Sequence, residues 1–224
     1  HSGTLDPMAT GVLPVFVGKA TRAVDLLPDQ SKRYTAVMQL GITTDTQDIT
    51  GKILQNSKAD LPEERVREAL LQFEGEGFQI PPMYSAVKVN GQRLYDLARQ
   101  GIEVERKKRP VTFSSINLLA YDRAAGRAVI DVACSKGAYI RTLIDDVGCV
   151  LGTGAALAAL RRTMACGFSL ADCYTLEEIE KAAQEGKAGS LLHPVQEVFQ
   201  GLEKIVLDAK RSWLYINGVK LTLR

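Results

Sequence analysis

VTFSSINLLAYDRAAGRAVIDVAC, residues 111–134, decides the fold class. Residues 111–121 and 127–134 are two strand-like runs, the second alternating as VIDVAC, and the DRAAG between them is turn-like. Upstream, YTAVMQLG (34–41) has the β-branched and aromatic content of a strand and ends at a glycine. PEERVREALLQF (62–73) predicts an amphipathic helix with Val66, Ala69, Leu70 and Phe73 on one face, started by a capping-box-like Asp60 and Glu63. RLYDLARQ (93–100) predicts a short helix that stops at Gly101. Downstream come a helix over 139–151, a strand over Leu157–Arg162 with Phe168, and a helix over 175–184 capped by Thr175 and Glu178. Strands and helices alternate without a regular βαβ rhythm, which gives an α+β fold.

The 224 residues fit one domain or slightly more, and 46% hydrophobic with 24% charged residues is ordinary for a globular protein. No apolar run approaches the ~20 residues that span a bilayer. No signal-peptide pattern is visible, so a cytoplasmic location without membrane contact is expected. The cysteines at 134, 149, 166 and 173 form no CxxC pair, and the histidines are His1 and His193. That spacing suits neither zinc nor a disulfide framework, so the expectation is reduced, mostly buried thiols and no metal. Net charge is +2, yet Tyr84–Val111 holds seven basic and three acidic residues. Lys19, Arg22, Lys32 and Arg33 form a second basic group. Such clusters suit a polyanion, and they equally suit a solvated face.

Familiar motifs are absent. GTGAAL (152–157) lacks the Lys-Ser/Thr of a phosphate loop and the third Gly of a dinucleotide fingerprint. TDTQDITG (44–51) has neither the alternating acids nor the closing Glu of a calcium loop. No nucleophile elbow accompanies either histidine. The chemistry-bearing candidate is HSGTLDPMATG (1–11), whose one carboxylate, Asp6, stands before Pro7 and between glycines at 3 and 11. Such a turn can hold a carboxylate rigidly, as a nucleophile requires, with a cationic partner for its charge. CSKGAYIRTLIDD (134–146) offers Arg141 as that partner. Spacing alone equally allows Asp6 to be a turn cap and Arg141 a surface ion-pair residue.

HSGTLDPMATGVLPVFVGKATR (1–22), KRYTAVMQLGITTDTQDITG (32–51), PPMYSAVKVNGQRLYDLARQGIEV (81–104), CSKGAYIRTLIDDVG (134–148) and LRRTMACGFS (160–169) follow one another in the order of a known family. The chain resembles the bacterial TruB family of tRNA pseudouridine synthases over essentially its whole length. MATGVLPVFVGKATR and TDTQDITG make it more similar to the stand-alone bacterial enzymes than to their guide-RNA-dependent relatives.

The resemblance implies a bent, mixed, largely antiparallel sheet flanked by helices, over residues 1–200. It implies that 201–224 begin a truncated PUA-like β domain that binds RNA, and that the family's first strand is missing. The implied activity isomerises uridine 55 in the T-loop of tRNA without cofactor, protein partner or metal, as a monomer on the T-arm stem-loop. Asp6 matches the catalytic aspartate, for which attack on C1′, removal of the 2′ proton and addition to C6 have each been proposed. Tyr34 matches the tyrosine packed on the flipped base, and Tyr139 and Arg141 match a substrate-contacting Tyr and the partner of the acid. Leu160 matches an apolar wall of the base pocket. His1 matches a histidine inserted where the uridine leaves the stack. Lys19, Arg22, Arg106, Lys107, Lys108 and Arg109 would contact RNA phosphates. An RNA-folding module without catalysis, and a guide-RNA-dependent subunit, are the competing expectations.

Overall fold

The computed structural model describes residues 1–222. Eleven strands run in chain order: β1 (Ala9–Gly11), β2 (Lys32–Leu40), β3 (Ile42–Thr44), β4 (Ile53–Asn56), β5 (Gly75–Gln79), β6 (Lys88–Val89), β7 (Gln92–Arg93), β8 (Arg109–Asp122), β9 (Arg127–Cys134), β10 (Ala155–Ala165) and β11 (Phe168–Ser169). Five α-helices are interleaved: α1 (Glu63–Leu71), α2 (Leu94–Arg99), α3 (Ile140–Leu151), α4 (Leu176–Gln184) and α5 (Ala209–Ile216). The main sheet has the order β1-β10-β2-β9-β8-β5, with β11 also on β10. Only the β1–β10 pair is parallel, so the mixed, largely antiparallel sheet expected from the sequence is present.

The hairpin of residues 111–134 supplies two interior strands of this sheet, between β2 and β5. β8 and β9 pair from Phe113↔Cys134 to Asp122↔Arg127. The alternation of β2 puts Tyr34, Ala36, Met38 and Leu40 on the buried face, where they meet Ile130 and Val132 of β9. Helix α3 closes that face with Leu143, Ile144 and Val147, all fully buried. Burying each such side chain stabilises the fold by about 1.5–3 kcal/mol. The helix lies directly on the start of β10: a Cβ on Gly148 would stand 2.1 Å from the Ala155 nitrogen. Gly154 N–H also donates to the Gly148 carbonyl at 3.0 Å. Only a residue without a side chain permits this approach.

Three local expectations change. Helix α1 begins after Pro62 with no side-chain cap. Asp60 is instead 2.7 Å from Arg123 in the β8–β9 turn, so a long-range ion pair replaces the capping box. Cys134 and Cys166 are buried, whereas Cys149 and Cys173 are exposed, so half rather than most of the thiols are internal. The strand expected at 157–162 starts earlier, at Ala155, and Phe168 belongs to the separate β11. Helix α4 carries the expected box, Thr175 accepting from Glu178 N–H and Glu178 from Thr175 N–H. Residues 204–208 form no strand and lead into α5, which buries none of its residues; positions 223–224 of the expected second domain lie outside the described residues.

Two outcomes follow from how α3 is seated. Gly148→Ala is expected to lower stability by about 1–3 kcal/mol through overpacking, despite the better helix propensity of Ala; equilibrium urea unfolding measures it, and an unchanged midpoint would refute the backbone contact. Burial, reinforced by Asp145, pushes the Asp146 carboxyl up from 3.8 to about 6. The folded state therefore holds this proton more tightly than the unfolded chain, and stability falls as pH rises from about 4 through about 6. Asp146→Asn removes the penalty, so its melting temperature should exceed the parent's at pH 7 and converge with it by pH 4; an equal gain at both pH values would rule out this linkage.

Candidate active site

Asp6 sits on the turn that leads into β1. Ala9 N–H donates to the Asp6 carbonyl at 2.8 Å, closing a tight turn around Pro7 and Met8. The turn is anchored because β1 runs parallel to β10, with Ala9 opposite Leu160 and Gly11 opposite Arg162. Gly11 has a φ of +101°, and a Cβ there would lie 2.1 Å from the Arg162 carbonyl oxygen. A glycine is required, since any side chain would separate the two strands.

Arg141 reaches the same place from the first turn of α3. Its Nε donates to Asp6 Oδ2 at 2.8 Å and its Nη2 to Asp6 Oδ1 at 3.0 Å, a bidentate pair. Further bonds run from Nη2 to the Tyr84 carbonyl at 2.9 Å and from Nη1 to the Thr46 carbonyl at 3.2 Å. The Arg141 side chain is 5% exposed and that of Asp6 33%. The guanidinium is thus fixed inside the protein, while the carboxylate keeps an open side. This geometry answers the sequence ambiguity: Arg141 is no surface partner, and the Asp6 side chain accepts from a guanidinium rather than from a backbone N–H.

The open side of Asp6 faces a cavity of about 100 Å³ lined by Thr4, Leu5, Tyr34, Ala138, Tyr139, Ile140 and Leu160. Tyr34 enters from β2, where it is the cross-strand neighbour of Arg162, and Leu160 enters from β10. Burial pushes the Tyr34 hydroxyl up to about 12, with the neighbouring Cys134 and Asp6 acting in the same direction. Tyr34 is therefore a neutral phenol throughout the physiological range. Tyr139 is held by its backbone: Gln79, at the end of β5, donates to its carbonyl at 3.1 Å and accepts from its N–H at 2.9 Å.

The structure brings together Asp6, Tyr34, Tyr139, Arg141 and Leu160, but not His1. His1 is exposed, outside the cavity lining, and its Nδ1 accepts from Gly3 N–H at 3.3 Å. Lys19, Arg22, Lys107, Lys108 and Arg109 are exposed. Arg106 differs from the rest of its cluster. It pairs with Glu103 at 2.9 Å and donates to the Pro81 carbonyl at 3.2 Å, so it braces its own segment.

Several contributors were not evident from the sequence. Thr46 and Tyr84 act through backbone carbonyls, which leave no residue-type signal. Asp48 shapes the loop behind Arg141: its Oδ1 accepts from the Thr50 N–H at 2.9 Å and from the Thr46 and Thr50 hydroxyls. The acids of TDTQDITG are accordingly engaged within the loop, Asp45 Oδ1 accepting from Lys52 N–H at 2.8 Å. Arg162 is the largest fully buried side chain. An arginine in a strand with β-branched and aromatic partners gives no hint of burial in its sequence.

The model of the TruB family pseudouridylate synthase N-terminal domain matches residues 1–140, and that of the tRNA pseudouridylate synthase B C-terminal domain matches residues 141–207. The chain is 43% identical over 221 residues to the tRNA pseudouridine synthase B of Alkaliphilus oremlandii, covering 99% of this chain and 72% of that protein. It is 48% identical over 221 residues to the enzyme of the same name from Stutzerimonas stutzeri, covering 97% of this chain and 72% of the relative. Among solved structures, a Cbf5-Nop10-Gar1 complex aligns with a TM-score of 0.67 at 30% identity, over 88% of this chain. The chain spans about half, 52%, of that solved chain's length. A structure of an H/ACA RNP bound to a substrate RNA containing 2′-deoxyuridine aligns at 0.63 and 26% identity. With matched domains running from residue 1 to residue 207 and an ion-paired aspartate at the mouth of a small cavity, the chain belongs to the TruB family of pseudouridylate synthases.

Proposed function

We propose that Asp6 is the nucleophile with which this TruB-family tRNA pseudouridine synthase converts uridine 55 of the T-loop to pseudouridine. The observation that carries the reading is the bidentate Asp6–Arg141 pair at the wall of a cavity about 100 Å³ in volume. A cavity of that size takes one planar base, not a stacked pair, so the nucleotide enters flipped out of the helix. Leu160 and Tyr34 supply apolar and aromatic walls for the base. Asp6 stands at the rim, where the ribose would follow.

The reaction breaks the C1′–N1 bond and joins C1′ to C5 of the same uracil. The C5 proton is lost and N1 regains a proton, so no atom is added overall. Arg141 positions the carboxylate by two bonds and holds its charge in a half-buried site, where electrostatic interactions act strongly. Tyr34, neutral and beside Asp6, offers a hydroxyl to the base. Neither cofactor nor metal has a role in this scheme.

The exposed Lys19, Arg22, Lys107, Lys108 and Arg109 contact RNA phosphates, which position the T-arm without reading sequence. His1, exposed on the segment that carries Asp6, fills the gap left by the flipped base in this reading. Residues 1–200 act as the catalytic unit, and 201–224 belong to a second, RNA-binding unit. The enzyme works in the cytoplasm as a monomer and without protein partners. Its similarity at 42–48% identity to proteins named tRNA pseudouridine synthase B supports this over a ribonucleoprotein subunit.

Tritium release from tRNA labelled at C5 of uridine is the direct test. The parent should release label from one site in the T-loop. Asp6→Asn should release none while its tRNA affinity stays within about threefold, since the acid serves chemistry more than docking. Turnover in Asp6→Asn would sink the assignment. Lys107→Ala with Lys108→Ala should weaken binding and reduce the slope of log affinity against log salt by about 1.5. An unaltered slope would make that cluster a solvated face.

A further inference from the structure

Arg162 is 1% exposed and makes no ion pair among the described residues. A second cation, Lys32, lies nearby, its ammonium held below its usual range by burial first and by the Arg162 charge as well. An apolar residue on a central strand would avoid that burden, so the bonds Arg162 makes are informative. Its Nε donates to the Val12 carbonyl at 2.6 Å and its Nη2 to the Gly3 carbonyl at 3.2 Å. Gly3 and Val12 are the two ends of the segment that carries Asp6. The Arg162 backbone adds to the same clasp, its carbonyl accepting from Val12 N–H at 2.9 Å. Tyr34 is the cross-strand neighbour of Arg162 in the β10–β2 register, and the nearby guanidinium favours the ionised form of its hydroxyl against the larger effect of burial.

We propose that Arg162 is a positioning residue for the isomerisation: it clamps both ends of the nucleophile segment and orients the Tyr34 hydroxyl from beneath. The inference rests on the reading of Asp6 as nucleophile. Arg141 fixes the Asp6 carboxylate; Arg162 fixes the backbone from which it projects. Only a guanidinium spans the two carbonyls, because its Nε and Nη2 donate along separate directions from one rigid plane. A lysine keeps the charge, but its three donors radiate from one nitrogen on a flexible stem and do not reproduce the separated, coplanar Nε and Nη2 of the guanidinium.

Arg162→Lys in the intact enzyme tests this by single-turnover rate and tRNA affinity, beside Asp6→Asn. The expected result is a rate about 100-fold lower with tRNA affinity within about threefold, the cost of a small displacement of a catalytic group. Non-additivity with Tyr34→Phe is also expected, the Arg162→Lys penalty shrinking once the hydroxyl is gone. A rate within about threefold of the parent, a parallel loss of affinity, or full additivity with Tyr34→Phe would each overturn the proposal. If Asp6→Asn turns over, the nucleophile reading fails first; if it is inactive and Arg162→Lys is parent-like, only this inference fails. A measurement on the parent does not depend on how the variant folds: the Arg162 Nε proton should exchange with water at least about 100-fold more slowly than that of exposed Arg161. Equal exchange would show that the clamp does not persist in solution.

Discussion

The bidentate contact between Asp6 and Arg141 joins residues 135 positions apart, and the architecture of the site follows from it. A guanidinium has five N–H groups in one plane. Here they serve two carboxylate oxygens and two backbone carbonyls, from Tyr84 and Thr46. Each partner belongs to a different part of the chain: the N-terminal turn, the loop after β3, and the segment after β5. Arg141 can satisfy all of them only if it is rigid, and α3 makes it so. The helix is pressed to backbone contact against β10, and Gln79 fixes the residue at its start. The sheet, the helix and the loops thus converge on one planar cation.

The charge arrangement around the cavity separates two kinds of arginine. Arg141 has its carboxylate and can be treated as an ion pair whose desolvation is offset by four hydrogen bonds. Arg162 donates only to backbone carbonyls and has another cation, Lys32, nearby. Tyr34, the cross-strand neighbour of Arg162 and a lining residue of the cavity that holds Asp6, is kept neutral by burial. The cavity therefore presents one carboxylate, Asp6, and two tyrosines, Tyr34 and Tyr139, and neither arginine is among its lining residues. Positive charge for the RNA backbone lies elsewhere, on exposed lysines and arginines.

The main elements were legible because their signals are local. Alternation in 127–134, turn residues at 122–126 and the Thr175–Glu178 box each record a short-range constraint, and each appears in the structure. The helix start expected at Asp60 failed because a partner from the β8–β9 turn competes for that carboxylate more effectively than its own backbone does. The site was legible in part. Asp6 stood out as a single acid in an apolar turn, and Arg141 as a cation after a glycine. Their pairing, and the roles of Tyr34, Tyr139 and Leu160, came with the family resemblance, since residues spread over β2, α3 and β10 share no sequence pattern. Gln79, Asp48 and Arg162 stayed hidden for the same reason. A buried arginine and an exposed one are spelled alike, and the carbonyls that hold Arg141 belong to residues of any type.

The parallel pairing of β1 with β10 also sets when the site can form. β1 ends at Gly11 and its partner register reaches Arg162, so this contact closes one of the longest loops in the molecule. Contacts of such separation are made late, because the chain entropy of closure is lost before the contact compensates for it. On a ribosome adding about 5–20 residues per second, the turn that carries Asp6 waits on the order of ten seconds for its strand partner to be synthesised. Through that interval the first segment of the chain has no strand to join, while the β8–β9 hairpin, whose halves are adjacent, can already form. The Asp6 carboxylate is therefore positioned late, on a scaffold part of which exists before it.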